Sequence, residues 1–178
     1  AVKMRFIENH DNPRAAGVAG SRRSLLNWTV FYSLLPGATL VYAGQEMALS
    51  HCPDLFSKDT VRWDDGDPEF QPFMQKALRL SKEIKRSCTR FAVSELGEGV
   101  VRIVWRGDES RYIAFVNLGD KDSQVCLDEH DAAELRRGQV CLGETFVGCL
   151  DRESGLGESG RWRLRPQDMP VVIRELSF

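Results

Sequence analysis

The residues best suited to chemistry lie near the start of the chain, in the stretch FIENHDNPR at residues 6–14. This stretch brings together a glutamate, two asparagines, a histidine, an aspartate and an arginine directly behind an apolar run. Carboxylates and histidines are the side chains that most often move protons or stabilise developing charge. Pro13 prevents the segment from continuing as a regular helix or strand. The pattern therefore predicts a functional loop.

The elements around this loop are predicted to be β/α units of a parallel sheet. Residues 2–7 have the pattern of a strand that ends at the polar cluster. Ser21 is a suitable N-cap for a helix whose apolar run covers residues 25–35. Residues 38–44 are a continuous apolar run, which is typical of a parallel strand covered on both faces. Because such units carry functional residues at the carboxyl ends of their strands, the cluster is well placed for function.

The second half of the chain is predicted to change from α/β to all-β. Asp67 and Pro68 are suited to cap and open a further helix, whose apolar positions fall on one stripe. Beyond it, short extended runs are separated by glycine and acidic turns, which is typical of an antiparallel β-sandwich. The predicted strands cover residues 100–106, 111–118, 123–127, 139–142, 161–165 and 170–176. We therefore expect two domains, at residues 1–88 and 89–178.

Composition and charge restrict the classes of partner. A net charge of -2 on 178 residues gives no electrostatic reason to expect nucleic acid or an anionic membrane. The five cysteines are widely spaced with no CxxC pair, which fits a reduced compartment, and a cytoplasmic location is predicted, with any signal peptide of the parent upstream of this chain. The acidic stretch DDGDPE at residues 64–69 lacks the spacing of a calcium loop and precedes a helix. We interpret it as helix capping and predict no metal or cofactor, with the calcium requirement of the parent left open.

The cluster FIENHDNPR resembles the fourth conserved region of the α-amylase superfamily, glycoside hydrolase family 13. The stretch LLPGATLVYAGQE at residues 34–46 resembles the helix end and eighth barrel strand of that family, and residues 56–85 resemble the segment through its last barrel helix. The resemblance is specific up to about residue 85 and architectural afterwards. It implies the last two β/α units of a (β/α)₈ barrel, joined to an antiparallel β-sandwich domain.

The resemblance also implies roles for three side chains of the cluster. Asp11 matches the aspartate that stabilises the transition state, and His10 matches a histidine that hydrogen-bonds the sugar. Arg14 matches an arginine that reaches a substrate hydroxyl or a neighbouring carboxylate. Glu8 is as consistent with a hydrogen-bond partner behind the site as with a substrate contact, so it is not assigned to the catalytic set.

The implied reaction is retaining hydrolysis of α-glucans such as starch or maltooligosaccharides. Retaining cleavage requires a nucleophile and an acid/base carboxyl about 5 to 5.5 Å apart. In the family both come from earlier strands that are not in this sequence, so the isolated chain is predicted to be inactive.

A second hypothesis is a non-catalytic carbohydrate-binding or structural relative of the amylase fold. The joint presence of His10 and Asp11 favours the enzyme, because a degenerate relative has no chemical reason to retain both. The strands predicted at residues 2–7 and 38–44 would have barrel neighbours on both edges. Without those neighbours, their exposed apolar faces predict self-association as a symmetric dimer.

Overall fold

A computed structural model of the chain describes residues 2–97, 99–121, 123–126, 138–143, 161–164 and 170–175. The chain divides into two compact units, Ala1–Lys82 and Glu83–Phe178. The identities expected for the two regions, an incomplete catalytic barrel and a β-sandwich domain, stay predictions.

Unit 1 begins with two short parallel strands connected through helices. Its elements are β1 (Met4–Arg5), α1 (Ala15–Val18), α2 (Arg22–Leu34) and β2 (Ala38–Thr39), then 3-10 turns at Gln45–Met47 and Trp63–Asp65, and α3 (Phe70–Ser87), which continues past Lys82. In the parallel pair, Met4 lies opposite Ala38 and Arg5 opposite Thr39. The order of strand, helix and parallel strand is that of a β/α unit. Whether it belongs to a barrel stays a prediction.

Helix α2 has the start and the burial that its sequence predicts. The Ser21 hydroxyl accepts the Ser24 N–H at 3.0 Å, which satisfies one of the free donors at the helix start. Eight of its residues are buried: Leu25, Leu26, Asn27, Thr29, Val30, Tyr32, Ser33 and Leu34. The hydroxyl of Ser81 in α3 donates to the Ser33 carbonyl within unit 1. The helix is thus fixed by both its apolar side chains and a buried hydrogen bond.

The predicted extent of the first two strands is wrong. Only two residues of each run form the ladder, which is flanked by hydrogen bonds from the Ala38 N–H to the Lys3 carbonyl and from the Leu40 N–H to the Arg5 carbonyl, both 2.9 Å. Phe6 and Val41 remain 40% and 38% exposed. An apolar run becomes a strand only where a partner supplies the opposite half of each hydrogen bond, and each run has one short partner among the described residues.

Unit 2 contains an antiparallel sheet of five strands in the order β3-β4-β5-β9-β7, and a two-stranded antiparallel pair β6-β8. The strands are β3 (Arg90–Gly97), β4 (Val100–Arg106), β5 (Arg111–Asn117), β6 (Ser123–Cys126), β7 (Gln139–Leu142), β8 (Arg161–Leu164) and β9 (Val171–Arg174). Strand β3 is an addition to the predicted set. The antiparallel β character of the unit is confirmed, whereas the packing of two sheets into a sandwich stays a prediction.

One hydrophobic cluster of unit 2 lies on a single face of the five-stranded sheet. It consists of alternate residues of three neighbouring strands, namely Val100, Val104, Ile113, Phe115, Val171 and Ile173. Residues on the opposite face of the same strands, such as Ile103, Ala114 and Val172, are buried as well, so the central strands are covered on both faces. Among the described helices, none has both the length and the apolar character that crossing a membrane requires.

Candidate functional site

The loop after β1 is closed at its base by the carboxylate of Glu8, which is 1% exposed. One oxygen, Oε1, accepts a hydrogen bond from Nη1 of Arg14 at 2.7 Å. The other oxygen, Oε2, accepts the backbone N–H of Ala15 at 2.8 Å. Glu8 therefore joins the end of β1 to the start of α1 and encloses the segment between them.

Arg14 is also 1% exposed, and it extends the base of the loop toward the segment after β2. Its Nε donates to the backbone carbonyl of His51 at 3.0 Å, and its guanidinium carbon lies 4.3 Å from the centre of the Tyr42 ring. The remaining nitrogen, Nη2, is buried and has no hydrogen-bond partner among the described residues. Of the two partners that the resemblance implies for Arg14, the structure supplies the neighbouring carboxylate. A substrate contact of Arg14 stays a prediction.

His10 and Asp11 occupy the exposed tip of the same loop. Their side chains are 60% and 67% exposed, and His10 Nε2 lies 3.3 Å from Asp11 Oδ2. Asn9 shapes the tip, because its Oδ1 accepts the Asp11 N–H at 2.9 Å and the Nδ2 of Asn12 at 2.6 Å. An imidazole and a carboxylate thus stand side by side in solvent, above a base that is fully buried.

The segment after β2 is held by a second histidine and carboxylate. Nε2 of His51 lies 2.8 Å from Asp59 Oδ2 and 3.0 Å from Asp59 Oδ1. Asp59 Oδ2 also accepts the Asp54 N–H at 3.0 Å. The hydrogen bonds from His51 and then from the Asp54 N–H hold the pKa of Asp59 below its usual range. The contact with Asp59 therefore holds His51 in place, and the His51 backbone carbonyl accepts the hydrogen bond from Arg14.

The turn that follows β2 is ordered by buried Gln45, which is 2% exposed. Its Nε2 donates to the Tyr32 hydroxyl at 2.9 Å, and its Oε1 accepts the Tyr42 N–H at 3.1 Å. Burial raises the pKa of Tyr32 above its usual range. Tyr42, whose ring faces Arg14, is therefore fixed through its own backbone.

Metal chemistry has no candidate centre in the part of the chain that the structure describes, since no group of three or more histidine, cysteine, aspartate or glutamate side chains is placed to hold an ion there. The exposed tip instead presents the Asp11 carboxylate, which can stabilise a developing positive charge, and a ring nitrogen of His10, which can hydrogen-bond a hydroxyl group.

Comparison with known proteins gives structural matches only. An α-amylase from Lactobacillus plantarum matches with a TM-score of 0.71 at 25% identity, over 98% of this chain and 38% of that one. A maltogenic α-amylase, AmyB, from Thermotoga neapolitana gives 0.72 at 24% identity, over 99% of this chain and 42% of that one. The chain resembles α-amylases over almost its whole length. No protein-family model matches it, and no curated protein matches its sequence.

An α-amylase from Geobacillus thermoleovorans, solved in complex with acarbose, matches with a TM-score of 0.70 at 17% identity, over 99% of this chain and 39% of that one. This α-amylase-like chain thus spans about two fifths of the length of the solved structures it matches. That share is consistent with the C-terminal portion that the sequence predicts.

Sequence reasoning named the two exposed residues of this loop, together with Glu8 and Arg14, and missed the contacts that Arg14 makes with the segment after β2. Tyr42 lies in the matching stretch YAGQE, but nothing in the letters indicates that its ring faces an arginine. His51 contributes through its backbone carbonyl, which any residue possesses. No spacing or composition signal could have identified that role.

Proposed function

We propose that this chain is the C-terminal portion of a glycoside hydrolase of the α-amylase type that acts on α-glucans by a retaining mechanism. The observation that carries the proposal is the exposed pair His10 and Asp11 on a loop whose base, Glu8 and Arg14, is fully buried. Catalysis needs a reactive tip on a rigid support, because the reacting groups must be held in one geometry. The likeness to α-amylases supports the same conclusion.

In the proposed reaction, Asp11 acts on the transition state rather than on the ground state. Glycoside cleavage passes through an oxocarbenium-like state in which the sugar ring becomes flattened and positively charged. A carboxylate fixed on the ring hydroxyls binds this state more tightly than the substrate, and the difference lowers the barrier. His10, 3.3 Å away, donates to a neighbouring hydroxyl and helps to hold the distorted ring.

The proposed nucleophile and acid/base belong to earlier strands of the parent enzyme. Asp11 alone supplies neither the covalent intermediate nor the proton that retaining cleavage requires. We therefore expect the 178-residue chain by itself to hydrolyse no α-glucan. Its proposed ligand is the glucan, and the proposed chemistry uses no cofactor.

The competing function is a carbohydrate-binding or structural protein with the amylase fold. The exposure of both His10 and Asp11 favours the enzyme. A protein that only bound sugar would gain equally from aromatic or amide side chains at these positions, and it would not need a carboxylate beside a histidine.

The test is Asp11→Asn in the longer enzyme that carries this chain. Asparagine keeps the shape and removes the charge, so we expect kcat on a maltooligosaccharide to fall by at least about 10²-fold, with a small change in KM. Asp65→Asn is the matched control, because Asp65 is an exposed carboxylate in the turn Trp63–Asp65 and should leave kcat unchanged.

Two results would contradict the proposal. One is an Asp11→Asn enzyme with the kcat of the control. The other is turnover by the isolated 178-residue chain that Asp11→Asn abolishes, because the chain would then contain a complete catalytic set.

A further inference from the structure

We infer that Glu8 is a positioning residue for the catalytic tip, with Arg14 as its partner. The inference rests on the proposed function of His10 and Asp11. It assigns to Glu8 a role in catalysis without contact with the sugar, because its side chain is 1% exposed.

The first argument is the use of both Glu8 oxygens within one short segment. Oε1 accepts from Arg14 Nη1 at 2.7 Å and Oε2 accepts from the Ala15 N–H at 2.8 Å. These bonds fix the two ends of the loop against each other while Asn9 shapes its tip. The backbone path from Glu8 to Ala15 is thereby constrained at both ends and in the middle.

The second argument is the link from the loop to the segment after β2. Arg14 donates from Nε to the His51 carbonyl, and His51 is bound in turn to Asp59. Since one guanidinium serves both Glu8 and His51, the position of the loop depends on the position of that segment. A lysine has a single ammonium point and cannot reproduce two divergent bonds from a planar group.

The third argument is the sensitivity of catalysis to small displacements. A shift of about 1 Å in a catalytic group can lower the rate by about 10²-fold. Because His10 and Asp11 are exposed and have little packing around them, their positions depend on the buried base formed by Glu8 and Arg14. Glu8 is the residue of that base that contacts both Arg14 and Ala15.

The first experiment uses NMR on the 178-residue chain. Glu8→Gln leaves one oxygen in place of two, so either Arg14 or the Ala15 N–H loses its acceptor. We expect heteronuclear NOE values at residues 9–12 to fall and the Ala15 amide to exchange more than tenfold faster. Amide exchange at Leu26 and Val30 in α2 should increase by a clearly smaller factor than exchange at Ala15.

Asp67→Asn is the control for a purely structural effect. Asp67 pairs with Arg22 at 2.8 Å in the same unit and also accepts the Glu69 N–H, so its loss weakens unit 1 without touching the loop. If each variant, Glu8→Gln and Asp67→Asn, raises the exchange rates of all amides by one common factor, Glu8 only stabilises the fold and the inference fails.

The second experiment measures kinetics in the longer enzyme. Glu8→Gln should lower kcat by about 10- to 100-fold with KM within about threefold, whereas Asp67→Asn should change neither. If Glu8→Gln does not fold, Arg14→Lys provides the same readouts, because it keeps the charge and loses the bond to His51. An unchanged kcat in the variant that folds overturns the inference.

The two proposals fail in distinguishable ways. If Asp11→Asn keeps full activity, the proposed function is wrong, while the NMR result still reports whether Glu8 orders the loop. If Asp11→Asn is inactive and Glu8→Gln is as active as Asp67→Asn, the function stands and the positioning role is wrong.

Discussion

Arg14 carries the largest fully buried side chain of the described residues, and its charge is compensated in three directions. The Glu8 carboxylate forms an ion pair with the guanidinium, the His51 carbonyl accepts a hydrogen bond from it, and the Tyr42 ring lies against it. Removing one partner of a buried ion pair typically costs about 3 to 5 kcal/mol, because the other charge is left without compensation. The pair therefore makes the loop base intolerant of single substitutions.

Tyr112 in unit 2 gives a prediction for the dependence of stability on pH. Burial and the hydrogen bond to Glu83 Oε1, at 2.7 Å, raise the pKa of Tyr112 to about 12. In the unfolded chain the tyrosine pKa is about 10. The unfolded state therefore loses its proton first, so the stabilising contribution is complete below pH ~10 and is lost as pH rises toward ~12.

Tyr112→Phe tests this by urea unfolding at pH 8 and pH 11. We expect wild type to lose about 1 kcal/mol more of its free energy of unfolding than the variant between these values. Tyr32 and the lysines are present in both proteins, so their titration cancels in the comparison. Equal losses in the two proteins would show that Tyr112 keeps no raised pKa in the folded state.

At the scale of single residues, the sequence indicates which side chains are candidates for a function better than it indicates their hydrogen-bond partners. His10 and Asp11 are recognisable because both stand in one motif, and the structure places both at the exposed tip. The Arg14 contact with His51 joins positions 37 residues apart through a backbone atom. Such a contact is decided by the folded path of the chain, and no local pattern encodes it.

The β1–β2 pair shows how a single glycine can set the spacing of two strands. Gly37 has φ 116°, a conformation that L side chains rarely adopt, and a Cβ there would lie 2.0 Å from the Lys3 carbonyl oxygen. That oxygen also accepts the Ala38 N–H at 2.9 Å. The close approach of the strands thus requires a residue without a side chain.

We expect Gly37→Ala to destabilise the protein by about 3 kcal/mol or more, through backbone strain and separation of the strands. Gly20→Ala is the matched control, because Gly20 also has positive φ, 73°, but a Cβ there meets no atom within 4 Å. Its cost should be about 1 kcal/mol, from backbone strain alone. Thermal or urea unfolding measures both, and equal costs would show that the contact with Lys3 is unimportant.

The strength of each element's pattern explains which elements the sequence predicts. Helix α2 has a capping serine and a long apolar run, and β4 and β5 are rich in apolar, strand-forming residues. Strand β3 was missed because its buried and exposed positions do not alternate and it contains a register shift between Glu95 and Gly97. It pairs with β4 alone among the described strands, as an edge strand of the sheet. Its structure depends on a neighbour that no local pattern reveals.

At the scale of the whole molecule, the chain matches longer proteins over most of its own length and about two fifths of theirs. The proposed catalytic carboxylates would then lie on other strands of the same fold. For a chain that lacks the other strands of such a fold, we expect edges and apolar faces that those strands would cover to be open to solvent.

Self-association of the isolated chain is the consequence we expect. Val2, Met4 and Phe6 alternate along the segment that contains β1, and their exposed fractions are 82%, 57% and 40%. Among the described strands, β1 pairs with β2 alone. A second copy can cover this apolar stripe by a two-fold arrangement, in which the same surface serves both partners. Light scattering at micromolar concentration should therefore give the mass of a dimer.

Met4→Lys should shift this equilibrium to the monomer, because a charge on the stripe would have to be buried without a partner. Phe56→Lys is the control, since Phe56 is 97% exposed and lies outside the stripe, so loss of an exposed apolar side chain elsewhere should leave the dimer intact. A monomeric mass for wild type would contradict the prediction. Dissociation by both variants would assign the association to general surface hydrophobicity instead of to the open strand.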